Sequence, residues 1–142
     1  MQTNSDRLRL YIIDDSSLVR ERLRALLSEV EGVEIVGEAG DADQAMKDMG
    51  ELRPDAITLD IHLPGPNGFV VLQRLRRQWP RFVQAPIVIV LSNYPHDAYR
   101  RKALGMGANF FYDKSTEFEK VRDVLQVMAQ PLYVAPDKVP PS

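Results

Sequence analysis

Four short apolar runs in this chain end on residues that can do chemistry. Leu10-Tyr11-Ile12-Ile13 runs into Asp14-Asp15, Ala56-Ile57-Thr58-Leu59 into Asp60, Ile87 to Leu91 into Ser92, and Asn109-Phe110-Phe111-Tyr112 into Asp113-Lys114. Gathered at one rim, Asp14, Asp15 and Asp60 would repel and resist joint ionisation. A hard divalent cation resolves that conflict, and oxygen ligands without His or Cys favour Mg²⁺, with Mn²⁺ as an alternative, over zinc. The hydroxyl of Ser92 and the ammonium of Lys114 are not needed to hold a cation. They suit a phosphoryl group, which takes a donor on one oxygen and a positive charge on another. The set therefore reads as a carboxylate that becomes phosphorylated.

Those residues need elements that bring them to one edge. The runs at 10, 56 and 87 are nearly continuous in apolar residues, as strands of a parallel sheet covered on both faces must be; Val33-Glu34-Ile35-Val36 is a further strand. Helical stripes lie between them. Val19, Leu23, Leu26, Leu27 and Val30 form the first, with Arg20, Glu21, Arg22 and Arg24 on the wet side. Asp41 with Gln44 reads as a capping box opening the second helix, which holds Ala45 and Met49. Phe69, Leu72, Leu75 and Trp79 stripe the third, ended by Pro80. Ala98, Tyr99 and Ala103 mark a short fourth with Pro95 in its first turn. Thr116 with Glu119 reads as a second capping box, ahead of the stripe Phe118, Val121, Leu125 and Met128. Alternating β and α units of this size give an α/β, doubly wound parallel sheet whose function sits at the carboxyl ends of the strands.

Composition bounds the rest. The chain has 142 residues, enough for one ordinary domain and no second one beside it. With 44% hydrophobic and 27% charged residues it is globular, and a formal charge of −2 excludes a strongly basic nucleic-acid module or basic membrane-surface protein. The absence of cysteine removes disulfides, thiolate metal sites and a cysteine nucleophile, and fits a cytoplasmic location. No run approaches the ~20 apolar residues of a membrane helix, and the N-terminus does not read as a secretory signal. The organisation expected is an N-terminal tail at 1–7, a domain at 8–130 and a Pro-rich tail at 131–142, PLYVAPDKVPPS.

Taken alone, Asp15-Ser16-Ser17 is a helix N-terminus signal, Ser92 is uninformative and Lys114 is a surface lysine. Together and in order, YII-Asp14-Asp15, LDIHLPGPNG with Asp60, IVIVLSN with Ser92 and GANFFYDKS with Lys114 are specific. Over about residues 8–130 the chain resembles the receiver domain of bacterial two-component response regulators. The resemblance implies a five-stranded flavodoxin-like fold with strand order 2-1-3-4-5. It implies that Asp60 accepts the phosphoryl group, that Asp15 binds Mg²⁺ directly and Asp14 through water, and that the backbone carbonyl of His62 completes the protein's share. It makes Lys114 the partner of the phosphoryl oxygens, Ser92 the hydroxyl that moves on activation, and Phe111 the rotating aromatic. Three positions depart from the family pattern: Asn93 stands where a small residue is usual, Ser115 where a cis proline is common (so a trans bond and a helix cap are expected), and Phe111 lacks a tyrosine's hydroxyl.

The partners implied are a histidine kinase or histidine phosphotransfer protein. A downstream protein would meet the face of the fourth helix, fifth strand and fifth helix, where a homodimer could also form on activation. Direct nucleic-acid binding and membrane insertion are not expected, nor is turnover of a separate substrate: the chain would assist its own phosphorylation and dephosphorylation. His62 and His96 read as exposed loop residues, and Arg74, Arg76, Arg77 and the run Arg100-Arg101-Lys102 as solvated. A dinucleotide or flavin module would need a glycine loop where DDSSLV stands, and a haloacid-dehalogenase-type phosphohydrolase a second Asp where His62 stands. Within the receiver class, a stand-alone receiver is preferred on the start at Met1 and the lack of any further domain. The alternative is the receiver part of a DNA-binding transcription regulator.

Overall fold

A computed structural model describes residues 7–79 and 85–130. The elements alternate: β1 (Leu8–Ile13), α1 (Ser17–Leu27), β2 (Val33–Ala39), α2 (Ala42–Leu52), β3 (Ala56–Asp60), α3 (Gly68–Gln78), β4 (Ile87–Ser92), α4 (Asp97–Gly105), β5 (Phe110–Asp113) and α5 (Lys120–Met128). All strand pairs are parallel, in the order β2-β1-β3-β4-β5. The order reverses between β1 and β3, so the crevice of a doubly wound sheet opens where Asp14, Asp15 and Asp60 stand.

The strands bury both faces, and their alternation sorts the core into two layers. Tyr11, Ile13, Ile57, Leu59, Val88 and Val90 pack with Met46 and Met49 of α2, Leu72 and Leu75 of α3 and Ala103 of α4. Leu10, Ile12, Ala56, Ile89 and Leu91 pack on the other face with Leu23 and Leu27 of α1 and Val121 and Leu125 of α5. Three helices cover one side and two the other, which is why the central strands read as unbroken apolar runs. β2 lies at an edge and is half-buried over most of its length. It runs on to Ala39, beyond the expected Val36, and shifts register between Leu10 and Tyr11, where Leu10 pairs with Ile35 and Tyr11 with Gly37. A Cβ at Gly37 would stand 2.9 Å from the Tyr11 ring, and the Tyr11 hydroxyl donates to Asp48 of α2 at 2.5 Å.

Several expected helix signals fall differently. Asp41 does cap α2, accepting from the Gln44 amide at 2.8 Å, but the Gln44 side chain reaches forward to Asp48 and leaves the box half made. Pro95 lies outside α4, ahead of its N-cap His96. α5 begins at Lys120 with Glu119 as N-cap and no side-chain cap bond, so Thr116–Glu119 is no capping box. The Glu117 carboxylate instead accepts the Asp113 amide at 2.9 Å, which holds the segment as a turn. Ser115 likewise caps no helix; its amide and hydroxyl both donate to Asp113. No cis peptide occurs among the described residues, as expected for the bond before Ser115. Trp79 takes the extended backbone that a following proline favours, ending α3 at Gln78; Pro80 itself and the tails at 1–6 and 131–142 lie outside the described residues.

One packing contact bears directly on the rim. Asn67 caps α3, and the first turn of that helix lies against the end of β3: a Cβ at Gly68 would be 2.6 Å from the Asp60 carbonyl oxygen and 2.7 Å from Ile61 Cα. Both neighbours are backbone and cannot rotate away. Gly68→Ala should destabilise the fold by about 1–3 kcal/mol in urea denaturation. Gly50, exposed in α2 with nothing within 4 Å of where a Cβ would stand, supplies the contrast: Gly50→Ala should stabilise by about 0.5–1 kcal/mol.

Candidate functional site

Asp14 follows β1 directly, and its amide donates to the Ala39 carbonyl at 3.0 Å, extending the β1–β2 pairing by one step. Asp60 is the last residue of β3. Because β1 and β3 are neighbours in the sheet, carboxylate oxygens of Asp14, Asp15 and Asp60 come within 4.8 Å of one another. Asp14 and Asp60 are buried, while Asp15 is exposed at the mouth. Lys114, just past β5, is 6% exposed, and its amide donates to the Ser92 carbonyl at 2.8 Å, which ties the β5 end to the β4 end. From there the ammonium reaches across β4 to Asp14 Oδ2 at 2.7 Å and Asp60 Oδ2 at 3.4 Å.

The electrostatics follow from that crowding. Burial pushes the Asp60 carboxyl above its ordinary value; the Lys114 ammonium opposes the rise, Asp14 and Asp15 add to it, and the His62 amide, donating to Asp60 Oδ1 at 2.9 Å, lowers it. Asp14 Oδ1 accepts the Ser16 amide at 2.9 Å. Asp113 takes no part: its carboxylate is turned to Ser115, whose hydroxyl and amide hold its pKa down. Three acids against one ammonium leave an excess of negative charge, and every free donor is oxygen. That is the chemistry a hard divalent cation fits.

Of the expected site residues, Asp14, Asp15, Asp60 and Lys114 meet in one cluster. Ser92 stands on the same rim and is fully buried, but its hydroxyl is engaged locally, accepting the Tyr94 amide at 2.9 Å and donating to the Tyr94 carbonyl at 3.3 Å. Phe111 is buried at 3% exposure in the layer beneath α4, with the Arg100 guanidinium over its ring at 5.0 Å and Arg100 Nη1 donating to its carbonyl at 3.1 Å. His62 is exposed, with its ring 4.1 Å from that of Tyr94. Two contacts were not legible in the sequence: this His62–Tyr94 pair, which links the loops after β3 and β4, and Arg20. Arg20, expected on the wet side of α1, is 19% exposed and turned inward to Glu38 and to the Asp14 carbonyl. The Arg100 of the run read as solvated is likewise half-buried against β5.

A doubly wound sheet with an acidic crevice at its switch point and a strand-end lysine is the arrangement expected of a response regulator receiver domain, not of a dinucleotide binder. The family model of the response regulator receiver domain matches residues 10–126, and the chain belongs to that family. It is 35% identical over 127 residues to a protein-glutamate methylesterase/protein-glutamine glutaminase of Alkalilimnicola ehrlichii, covering 84% of this chain and 31% of that protein. It is 28% identical over 130 residues to the response regulator GacA of Pseudomonas aeruginosa, covering 91% of this chain and 59% of GacA. Among solved structures, the response regulator domain of Thermotoga maritima CheB superposes with a TM-score of 0.73 at 29% identity, over 87% of this chain and 93% of that one. The chain thus spans about a third to three-fifths of the length of these curated relatives.

The raised Asp60 pKa sets a pH dependence. The folded state holds the Asp60 proton more tightly than the unfolded chain, so stability falls as pH rises from the ordinary value of 3.8 through the raised folded value, and the full penalty is present above it. In metal-free buffer at neutral pH, Asp60→Asn should therefore melt above wild type. The gap should shrink as pH falls through that window. Thermal melts across pH check it, and a gap independent of pH would contradict the burial of the charge.

Proposed function

We propose that this chain accepts a phosphoryl group on Asp60 from a phosphohistidine of a histidine kinase or histidine phosphotransfer protein, and that phosphorylation switches its contacts with other proteins. The observation that carries the reading is the buried carboxylate of Asp60 held between Lys114 and two further acids at the strand-order switch. An Asp at the end of a buried strand, raised in pKa and faced by a lysine, is a poor structural choice and a good nucleophile position.

The carboxylates of Asp14, Asp15 and Asp60 and the backbone carbonyl of His62 would hold Mg²⁺, or Mn²⁺ in its place. When bound, such an ion supplies charge neutralisation for the carboxylates and the incoming phosphoryl oxygens. The rest falls to the chain. An Asp60 oxygen forms a bond to phosphorus as the nitrogen–phosphorus bond of the donor breaks; the electron pair stays with the imidazole nitrogen, which takes up a proton. Lys114 transfers from Asp14 to a phosphoryl oxygen and offsets its charge. Resetting is hydrolysis: water attacks phosphorus, the oxygen–phosphorus bond breaks, and Asp60 leaves as carboxylate with inorganic phosphate. The chain acts as phosphoacceptor, assisting both steps without turning over a separate substrate, and on this reading it works in the cytoplasm. Ser92 shifts toward the new oxygens, Phe111 follows, and the face of α4, β5 and α5 presents the altered surface to a downstream protein or a second copy.

A second reading has one observation in its favour. The curated relatives run well past the matched region, so the receiver would be one part of a longer regulator, such as a DNA-binding one, rather than a stand-alone switch. The length of the native reading frame separates the two.

Incubation with acetyl phosphate and Mg²⁺ followed by intact mass measurement tests the nucleophile: wild type should gain one phosphoryl group and Asp60→Asn none. Label on Asp60→Asn at the wild-type level would refute the assignment. Lys114→Ala should lower the labelling rate by about a hundredfold. It should still bind Mn²⁺, because it removes the positive charge that competes with the ion.

A further inference from the structure

Asp15 is the exposed acid of the three, and among the described residues its carboxylate has no hydrogen bond or ion pair. Where it points depends on the peptide joining it to Asp14. The Asp14 amide is fixed to Ala39, and its side chain to Ser16 and Lys114. The carbonyl of that linking peptide is held by a different group: Arg20 Nη1, from the second turn of α1, donates to it at 2.7 Å. The same guanidinium anchors its other side on β2, with Nε donating to Glu38 Oε2 at 3.2 Å, and the second Glu38 oxygen takes Arg24. A planar fork bonded at two edges fixes a peptide plane in a way a point charge does not. Glu38 also offsets the positive charge that Arg20 brings toward a cation site.

We infer that Arg20 is a positioning residue: braced on Glu38, it fixes the Asp14–Asp15 peptide so that the Asp15 carboxylate faces Asp14 and Asp60, and thereby sets the affinity of the site for a divalent cation. The inference rests on the reading of the three acids as a metal site. Loss of an outer partner of a metal ligand typically weakens binding about tenfold or more.

Titration with Mn²⁺ alone, followed by electron paramagnetic resonance, tests it on the whole chain. Arg20→Gln should raise the Mn²⁺ dissociation constant about tenfold. Arg24→Gln, which takes a charge from the same Glu38 but touches neither acid, should leave it unchanged. In acetyl phosphate labelling, Arg20→Gln should raise the metal concentration for half-maximal rate while keeping the rate at saturating metal, a split that a general loss of folding would not produce. Equal or tighter Mn²⁺ binding by Arg20→Gln overturns the inference, since removing a nearby cation would by electrostatics alone strengthen binding. Equal weakening by Arg24→Gln overturns it as well. If Arg20→Gln does not fold, Arg20→Lys decides in its place: weakened binding supports the two-edged brace, and wild-type affinity overturns it. Failure of wild type to bind Mn²⁺ would instead strike the metal-site reading itself.

Discussion

Lys114 lies buried between two buried aspartates, and most of what is distinctive in this molecule answers to that arrangement. A buried ion pair gains little net stability, because desolvating both partners offsets their attraction. Here the balance is worse, since one ammonium faces more than one carboxylate. Burial raises the Asp60 pKa, and the ammonium, closer to Asp14 than to Asp60, offsets that rise only in part. A core tuned for stability would replace the group with apolar residues of the same volume. The charges persist at the one point of the sheet where a ligand can enter from the crevice, which makes function the better account of their presence.

Placing those charges is the work of the backbone. β1 and β3 are neighbours, so two acidic strand ends need no long reach to meet. β5 is two strands from β3, and its lysine has the length to cross β4. The anchors are short and local: Ser16 and His62 amides on carboxylates, the Lys114 amide on the Ser92 carbonyl, and Gly68 against the Asp60 backbone. None of these bonds is strong singly. Together they leave the Asp14, Asp60 and Lys114 side chains few orientations, so that part of the site is preorganised before any ligand arrives.

Much of this was legible in the residues because strand cores and strand ends carry opposite chemistry. An acid after a continuous apolar run has few structural explanations, and the acids and lysine were found on that ground. The limits of β3 and β4 agree within a residue with those expected, β1 begins two residues ahead of the expected Leu10, and β2, half-buried at an edge, has a weaker pattern and runs three residues past the expected Val36. Helix starts were less legible. Thr116 and Glu119 have the spacing of a capping box, yet the Glu117 carboxylate competes for the Asp113 amide and holds a turn there. Arg20 and Arg100 were read as solvated because periodicity sorts Cα positions, not the tips of long side chains. Each arginine turns inward to a backbone carbonyl that the chain pattern does not advertise.

The switching part of the proposal depends on how firmly the present arrangement is held. The Ser92 hydroxyl is bound to the Tyr94 backbone by one good hydrogen bond and one long one, not to any acid. Moving it toward a phosphoryl oxygen would exchange neutral bonds for a charge-assisted one, which is roughly twice as strong. Phe111 is held by apolar packing and by Arg100, whose guanidinium lies over the ring and bonds to the same residue's carbonyl. With no phenolic hydroxyl to fix its orientation, this ring is linked to α4 by the contact with Arg100 and by the apolar layer it shares with Ala103. Any rearrangement of Phe111 must therefore disturb α4 rather than end at the strand. On the proposed function, a charge appearing on Asp60 would act through Ser92 on the loop leading into α4, and through Phe111 on the helix itself. Both routes converge on one element, whose first turn carries no side-chain cap. A differential contact of a few kcal/mol suffices to redistribute two such states, and the bonds that oppose it here are of that size.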